Sequence, residues 1–257
     1  MPAHEDAPIL EFDPSTTAVI EPSAVMAPEE GVPHQVVLCF FQEVIETVVA
    51  SHGVLERSPF KAEHGIHPFW ELDWEGKHFG LFHPGVGAPL AAAFLEEAIA
   101  KGCRSFVACG GAGTLVPELT LGHVVVPTSA IRDEGTSYHY LPPSRSVAAS
   151  PAAVEAIQAT LGEHGVPYMT GPTWTTDAPY RETRDRMRRR VEEGCLTVEM
   201  EAAGFFAVAA FRGVTFGQLL YAGDDLSGDA WDERGWLAHA EGRERLFWLA
   251  AEAALRL

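Results

Sequence analysis

The 257-residue chain is poor in cysteine and in positive charge. It has four cysteines, with no Cys-x-x-Cys pair and no Cys/His cluster at the spacing of zinc ligands, so no metal site is predicted. Each cysteine lies in or beside an apolar run, which predicts buried free thiols and a reducing compartment, the cytoplasm. The first residues lack a basic segment followed by an apolar one, so no secretion signal is expected.

Charge and hydropathy argue against two classes of partner. Lys and Arg total 18 against 36 Asp and Glu, and the formal net charge of −18 repels the backbones of DNA and RNA. No apolar run reaches the roughly 20 residues that cross a bilayer as a helix. We therefore expect neither a nucleic-acid nor a membrane partner, and an anionic ligand would need concentrated local positive charge.

The order of periodic segments predicts an α/β protein. Residues 1–35 are rich in Pro, Glu and Ala and are predicted to form an N-terminal arm with one short strand near residues 17–20, before a single domain at 36–257. Helical spacing is found at 38–51, 90–101, 150–164, 181–193, 199–211 and 236–255. Strands are predicted at 68–74, 78–83, 104–109, 123–127, 168–176 and 215–221. This alternation is typical of a central, largely parallel sheet.

Two glycine turns follow predicted strands. They are Gly85-x-Gly87 and Gly110-Gly111-x-Gly113, and glycine lets backbone N–H groups approach a ligand closely. Neither turn completes a Gly-x-Gly-x-x-Gly fingerprint, and no P-loop lysine follows either of them. The turns are therefore also explained as tight connections between strands and helices.

Two groups of acids stand where regular elements meet loops. Glu199 and Glu201 flank Met200 at the start of an alanine-rich helix, and Asp224 and Asp225 end a predicted strand. Acids complement the dipole of a first helical turn and also occur in ordinary turns. Two acids so placed can also grip a sugar diol and protonate a leaving group. We expect the carboxylates at 201 and 224 to face one cavity, because ligands of open α/β sheets bind at the carboxyl ends of strands.

Trp174 lies in a polar stretch, Thr173-Trp174-Thr175-Thr176. An aromatic ring in such a loop is suited to stacking on a planar base. A core tryptophan is the alternative at this position.

Five motifs in one order carry a family resemblance over residues 36–254. They are Val198-Glu199-Met200-Glu201-Ala202-Ala203-Gly204, His83-Pro84-Gly85-Val86-Gly87-Ala88-Pro89, residues 110–113, Arg132-Asp133-Glu134-Gly135-Thr136-Ser137 and Thr175-Thr176-Asp177-Ala178-Pro179-Tyr180. In these the chain resembles the nucleoside phosphorylase and nucleosidase superfamily, in its purine nucleoside phosphorylase and uridine phosphorylase branch. The resemblance implies a three-layer α/β/α sandwich with a mixed, barrel-like central sheet, and a homo-oligomer that is a dimer or a trimer of dimers.

The resemblance also implies site roles for a nucleoside substrate. Asp224 would be the catalytic acid that protonates the departing base. The ribose would be bound by Glu201, Met200 and Glu199. The base would be bound by Trp174, Asp177 and Gly113. Phosphate or water would be bound by Gly87, Gly110, Gly111 and Arg132. No cofactor is implied apart from phosphate as a possible co-substrate.

The chain departs from the family pattern where phosphate would bind. Phosphorylases of the family carry a Gly-Asp-Pro-x-Arg turn after the first strand, whereas the predicted strand at 17–20 is followed by Glu21-Pro22-Ser23. At the second glycine turn, Ala108 and Gly111 stand in place of an arginine and a serine or threonine, and Gly223 replaces a serine. Three functions stay open: a phosphorylase, a nucleoside hydrolase that uses water, and a non-catalytic nucleoside-binding protein. The base, purine or uracil, is also open.

Overall fold

The computed structural model describes residues 7–236 and 240–257. Within these ranges the chain forms one mixed ten-stranded sheet. The strands are β1 (Gln35–Cys39), β2 (Val54–Ala62), β3 (Gly65–Trp74), β4 (Lys77–Phe82), β5 (Ser105–Thr114), β6 (Val124–Asp133), β7 (Ser146–Ala148), β8 (Tyr168–Thr176), β9 (Thr197–Glu199) and β10 (Thr215–Asp225).

Five of the strands close into a barrel. Going round it, β5 pairs with β9, β9 with β8, β8 with β6, β6 with β10, and β10 returns to β5. The sheet continues outward from β5 through β1, β4, β3 and β2, and β7 pairs with β6. The parallel β5 and β10 run in register from Ser105 beside Thr215, so their carboxyl ends lie together.

Helices cover both faces of this sheet. They are α1 (Pro22–Val25), α2 (Gln42–Ser51), α3 (Ala88–Lys101), α4 (Pro151–Glu163), α5 (Arg184–Glu192), α6 (Ala202–Arg212) and α7 (Ala240–Ala254). Helices α3 and α6 pack on one face, and α2, α4 and α7 supply the core of the other. The α/β/α sandwich with a barrel-like sheet is therefore confirmed. None of the described helices is long and apolar enough to cross a bilayer.

Small residues allow the close packing of α3 on α6. A Cβ atom placed on Gly204 would lie 3.0 Å from the Cβ of Ala88, closer than ordinary side chains pack. Burial of the alanine-rich faces of these two helices supplies hydrophobic stabilisation of about 25 cal/mol per Å² of apolar surface. The start of α6, which directly follows Glu199 and Glu201, is thereby held against the start of α3 and its glycine turn.

The predicted strand at residues 17–20 is wrong. The described part of the arm, residues 7–34, contains a 3₁₀ turn at Pro8–Leu10 and the short helix α1, and the first strand is β1. Val19 is fully exposed and Ile20 is largely exposed, so this apolar run has no neighbouring strand to pair with. The predicted helix at 38–51 took in Leu38 and Cys39, which belong to β1. A short, fully buried apolar run does not distinguish a strand from a helix by its periodicity.

Strands β1, β2, β7 and β9 were not predicted, and the glycine turn at 110–113 lies inside β5. Strand β9 has three residues, too few to show an alternation, and it took the first residue of the predicted helix at 199–211. The predicted C-terminal helix at 236–255 corresponds to α7, and part of its first turn falls on residues 237–239, outside the described residues.

Candidate active site

A pocket of about 170 Å³ opens at the joined carboxyl ends of β5 and β10. It is lined by Phe40, Gly111, Ala112, Gly113, Gly223, Asp224 and Trp236. The floor is glycine-rich backbone, two aromatic side chains flank it, and the single ionisable group among these lining residues is the carboxyl of Asp224. Such a pocket suits a flat, uncharged ring beside a proton donor.

The two consecutive acids at the end of β10 have different environments. Asp224 Oδ2 accepts the indole N–H of Trp231 at 2.7 Å, and its Oδ1 lies 3.5 Å from the position a Cβ of Gly113 would occupy. That Cβ would also lie 2.6 Å from the Leu226 side chain, so any larger residue at position 113 would have to displace Leu226. Oδ1 of Asp224 thus lies over the glycine floor of the pocket.

Asp225 is bound within the protein. Its carboxylate pairs with Arg234, accepts the Ser227 N–H at 2.8 Å and accepts the Thr114 hydroxyl at 3.2 Å. Burial alone would raise the pKa of Asp225, but these hydrogen bonds and the Arg234 charge outweigh it and hold that pKa below its usual range. Asp225 therefore fastens the following loop, and Asp224 is the acid that meets the pocket.

Residues 198–204, which the resemblance implies bind ribose, form the ribose motif. This motif connects β9 to α6 and contains two buried carboxyl groups. Glu199 Oε2 accepts the N–H groups of Glu201 at 2.7 Å and Ala202 at 2.6 Å, and Oε1 accepts the Thr175 hydroxyl at 2.6 Å. Both oxygens of Glu199 are therefore used to cap the first turn of α6 and join it to β8. A carboxylate so engaged holds the motif in place, and the expected contact of Glu199 with ribose stays a prediction.

Glu201 reaches in the other direction, to the first glycine turn. Its Oε1 accepts the N–H of Gly87 at 2.5 Å, where the backbone has a φ of +89° that favours glycine. Burial raises the pKa of both Glu199 and Glu201, and the neighbouring charge of Glu199 raises that of Glu201 further. The N–H of Gly87 thus orients the acid at 201, and the expected contact of Gly87 with phosphate or water stays a prediction. Met200 lies half-buried between the two acids.

Asp177 lies on the Glu201 side of the site. Its Oδ2 accepts the N–H of Gly135 at 2.8 Å, and its negative charge contributes to the raised pKa of Glu201. Asp177 thus joins two loops close to the ribose motif. It is not among the residues that line the pocket beside Asp224.

The expectation that the carboxylates of residues 201 and 224 face a common cavity stays a prediction. The pocket beside Asp224 does not include Glu201 among its lining residues, and Glu201 faces the turn at Gly87. The two acids sit at the ends of different strands, β9 and β10, which are separated in the barrel by β5.

Trp174 is a core residue, which corrects its expected role as a base-stacking ring. It has no exposed surface, its indole N–H donates to Asp133 at 3.0 Å, and the Arg190 guanidinium lies 5.3 Å from its ring centroid. The aromatic walls of the pocket are Phe40 and Trp236, which the sequence analysis missed. The sequence analysis placed Phe40 in the predicted helix at 38–51 and Trp236 in the predicted helix at 236–255.

Arg132 holds its own loop together, and its expected role at phosphate or water stays a prediction. Its buried guanidinium donates to the hydroxyls of Ser137 and Ser144 and to the carbonyls of Leu141 and Pro142, at 2.7–3.1 Å. All of these partners lie within the segment that follows β6. The guanidinium makes four hydrogen bonds within this segment, and Arg132 does not line the pocket beside Asp224.

The second glycine turn accommodates an aromatic ring. A Cβ on Gly110 would lie 2.8 Å from the ring of Phe40, so glycine is what lets that ring rest on β5. Gly111 lies within ordinary contact distance of Trp236. The true first strand, β1, is followed by Phe40 and Phe41, not by Glu21. The conclusion that no arginine follows the first strand is therefore unchanged, although the residues on which it was based were the wrong ones.

A second acid lies near Asp224 and was also missed. Glu182 follows the 3₁₀ turn Pro179–Arg181, and burial together with the charge of Asp224 raises the pKa of Glu182 to about 7. Next to it, Arg184 donates to the carbonyl of Leu226 at 2.8 Å and so draws the start of α5 toward the end of β10. Among the described residues, no group of three His, Cys, Asp or Glu side chains is placed to hold a metal ion.

Comparison with known proteins identifies the class of this fold and site. The family model described as the phosphorylase superfamily matches residues 35–247, and the chain belongs to that family. It is 29% identical to the guanosine phosphorylase of Halorubrum lacusprofundi over 62% of this chain and 69% of that protein. It is 26% identical to the uridine phosphorylase of Salmonella typhimurium, over 69% of this chain and 74% of that protein.

A solved structure shares the fold over nearly the whole chain. The crystal structure of uridine phosphorylase from Vibrio fischeri superposes with a TM-score of 0.75 and covers 90% of this chain and 95% of its own. The sequence identity in that superposition is 21%, so the likeness concerns the fold alone.

Proposed function

We propose that this protein is an enzyme that cleaves the N-glycosidic bond of a ribonucleoside and releases the free base. Asp224 protonates the base, and Glu201 accepts hydrogen bonds from the ribose hydroxyls. The observation that carries the proposal is the placement of Asp224 Oδ1 over the glycine floor of an aromatic-walled pocket. The family membership of the protein supports the same reaction class, as do its relatives, which are named guanosine phosphorylase and uridine phosphorylase.

The charges that develop in this reaction match the acids present. Breaking the bond builds positive charge on the ribose and negative charge on the base. A carboxylate that binds the sugar hydroxyls stabilises the first, with about 1.5–3 kcal/mol for a charged hydrogen bond. A protonated acid at the base neutralises the second and contributes roughly 10²–10⁴ in rate.

The pocket also defines how a base would be held. Phe40 and Trp236 offer aromatic surface, and Gly111 and Gly113 leave backbone close to the ring. Flat heterocycles gain about 0.5–1.5 kcal/mol from an aromatic contact beyond simple burial. Both purines and uracil satisfy this description, and the named relatives act on one of each type.

Water is a second candidate for the acceptor, besides phosphate. The named relatives are phosphorylases and favour phosphate. The lining favours water, because Phe40 covers Gly110 and the guanidinium of Arg132 already makes four hydrogen bonds within its own loop. An inorganic phosphate here would meet the carboxyl of Asp224 without a cationic side chain among the lining residues.

The test is a direct assay of base release. Purified protein is incubated with a panel of purine and pyrimidine ribonucleosides, with and without phosphate, and the products are separated by chromatography. Free base with ribose 1-phosphate identifies phosphorolysis, and free base with ribose identifies hydrolysis. Asp224→Asn is the matched control. Tight nucleoside binding with no base released from any substrate contradicts the enzyme and identifies a binding protein.

A further inference from the structure

The loop that follows β10 is fastened at one residue. Asp225 and Asp232 exchange backbone hydrogen bonds of 2.7 and 3.0 Å, which close the loop on itself. The Asp225 carboxylate also binds Arg234 and the N–H of Ser227. These four contacts tie both sides of the loop to the end of the strand.

Trp231 lies in this loop directly before Asp232 and is 61% exposed. A tryptophan indole has a single polar group, an N–H donor. That donor is bound to Asp224 Oδ2 at 2.7 Å. An exposed indole held on a carboxylate is not explained by packing, because most of the ring contacts solvent.

The two oxygens of Asp224 are thereby made different. Oδ2 faces the loop and accepts the indole N–H, and Oδ1 faces the glycine floor at Gly113. Without the indole, rotation about the side-chain bonds would exchange the two oxygens. With it, one rotamer is selected, and one oxygen is presented to a ligand in the pocket.

We propose that Trp231 is the positioning residue for the acid: its N–H holds Oδ2 so that Oδ1 carries the proton to the leaving base. This inference rests on the proposed function. In the step, the bond between C1′ and the base nitrogen breaks and its electron pair stays on the base. The proton on Oδ1 passes to the base, and the acceptor oxygen bonds to C1′. Asp224 is left as a carboxylate, which the indole N–H stabilises, and a proton from solvent restores it.

The arrangement also explains why two acids stand side by side. Asp225 anchors the loop that delivers Trp231, and Trp231 orients Asp224. The other charged groups around Asp224 are Glu182, Arg234 through its pair with Asp225, and Arg184 through the carbonyl of Leu226. None of these side chains is hydrogen-bonded to Asp224 in the described residues, so the indole is the one side-chain donor on it.

The first test separates the N–H from the ring. Trp231→Phe keeps an aromatic side chain and removes the donor, and we expect kcat to fall about tenfold with KM within about twofold, as for the loss of one hydrogen bond to a charged group. The alkaline limb of the pH–rate profile moves to higher pH, because the carboxylate has lost a stabilising donor. Trp231→His, which restores a ring N–H, recovers part of kcat. Trp248→Phe, on α7 and packed on Trp74, is the control and leaves the profile unchanged.

The second test does not depend on turnover. Protein labelled with ¹⁵N-tryptophan shows indole N–H resonances, and the one missing in Trp231→Phe is assigned to Trp231. In Asp224→Asn we expect that resonance to move more than any other indole signal. Two results with an active wild type would overturn this inference and leave the proposed function standing. The first is a Trp231→Phe variant with the same kcat and pH profile as Trp248→Phe. The second is a Trp231 indole resonance that does not move in Asp224→Asn. A wild type that cleaves no nucleoside overturns the proposed function together with this inference.

Discussion

Glu199 and Glu201 stand two residues apart, and the carboxylate of the first accepts the backbone N–H of the second at 2.7 Å. This contact gives the two acids of the ribose motif different roles. Glu199 turns back into the protein, to the start of α6 and to Thr175, and so fixes the backbone from which Glu201 projects. The carboxyl of Glu201 is contacted by the backbone N–H groups of Gly87 and Met200, and its other lone pairs can accept from a ligand.

Replacing Glu199 by Ala should destabilise the fold. The change leaves two N–H groups at the start of α6 and the Thr175 hydroxyl without their acceptor, at a cost of about 1–3 kcal/mol for each buried unsatisfied group. Thermal or urea unfolding measures the loss. Glu192→Ala, on the exposed face of α5, is the matched control. Equal stability of the two variants would show that Glu199 is not a structural acid.

Replacing Glu201 by Gln should weaken ribonucleoside binding without affecting the free base. At a pH above the folded pKa of Glu201, about 8, the carboxylate is ionised, and loss of its charged hydrogen bonds to the ribose costs about 1.5–3 kcal/mol, a factor of roughly 10 to 100 in affinity. Calorimetric titration with a ribonucleoside and with its base measures both. An unchanged affinity for the nucleoside would remove Glu201 from the ribose site.

The raised pKa of Glu201 should make stability fall with increasing pH. Its ordinary pKa is 4.5, and burial and the charge of Glu199 raise it in the folded protein. Between the unfolded and folded values the native state keeps a proton that the unfolded chain has released, so the contribution is full below about pH 4.5 and is lost as pH rises through the folded value. Melting temperatures from pH 5 to 9 should drop more steeply for the wild type than for Glu201→Gln. Parallel curves would contradict the assignment.

The two acids at the end of β10 should separate in kinetics and stability. Asp224→Asn should slow base release at least about 100-fold, the usual size of general-acid help. Asp225→Asn should act on the loop, with a lower melting temperature from the weakened tie to Arg234. An inactive Asp225→Asn variant together with an active Asp224→Asn variant would show that Asp224 is not the catalytic acid.

We propose that the protein assembles as a homo-oligomer, and the hairpin of β2 and β3 carries apolar surface suited to a contact. Ile66 and Leu55 are 68% and 54% exposed there, and β2 is an edge strand. Light scattering should give a mass above the 27.8 kDa of one chain. Ile66→Lys should lower it, and Val191→Lys, on α5, is the control with a similar change on an exposed residue. A wild-type monomer would contradict the proposal.

Much of the fold was predictable because local pattern and tertiary packing agree. The apolar faces of α3, α4 and α6 follow the helical period, and β8 and β10 end in the polar residues expected at the edge of the sheet. The first strand, β1, was not predicted because its buried run shows no alternation of apolar and polar residues. Likewise, the aromatic walls of the pocket come from residues almost 200 positions apart, Phe40 and Trp236, and nothing local to either one indicates the other.

The sequence by itself determined the α/β class, the family, and the identity of the acids, because motif spacing places specific side chains at the ends of strands and helices. Only the tertiary structure decided which polar groups are free. It committed Glu199, Asp225 and Arg132 to internal hydrogen bonds, buried Trp174, and left Oδ1 of Asp224 facing the pocket. The physical reason is that a buried polar group must find partners, and those partners come from strands and loops distant along the chain.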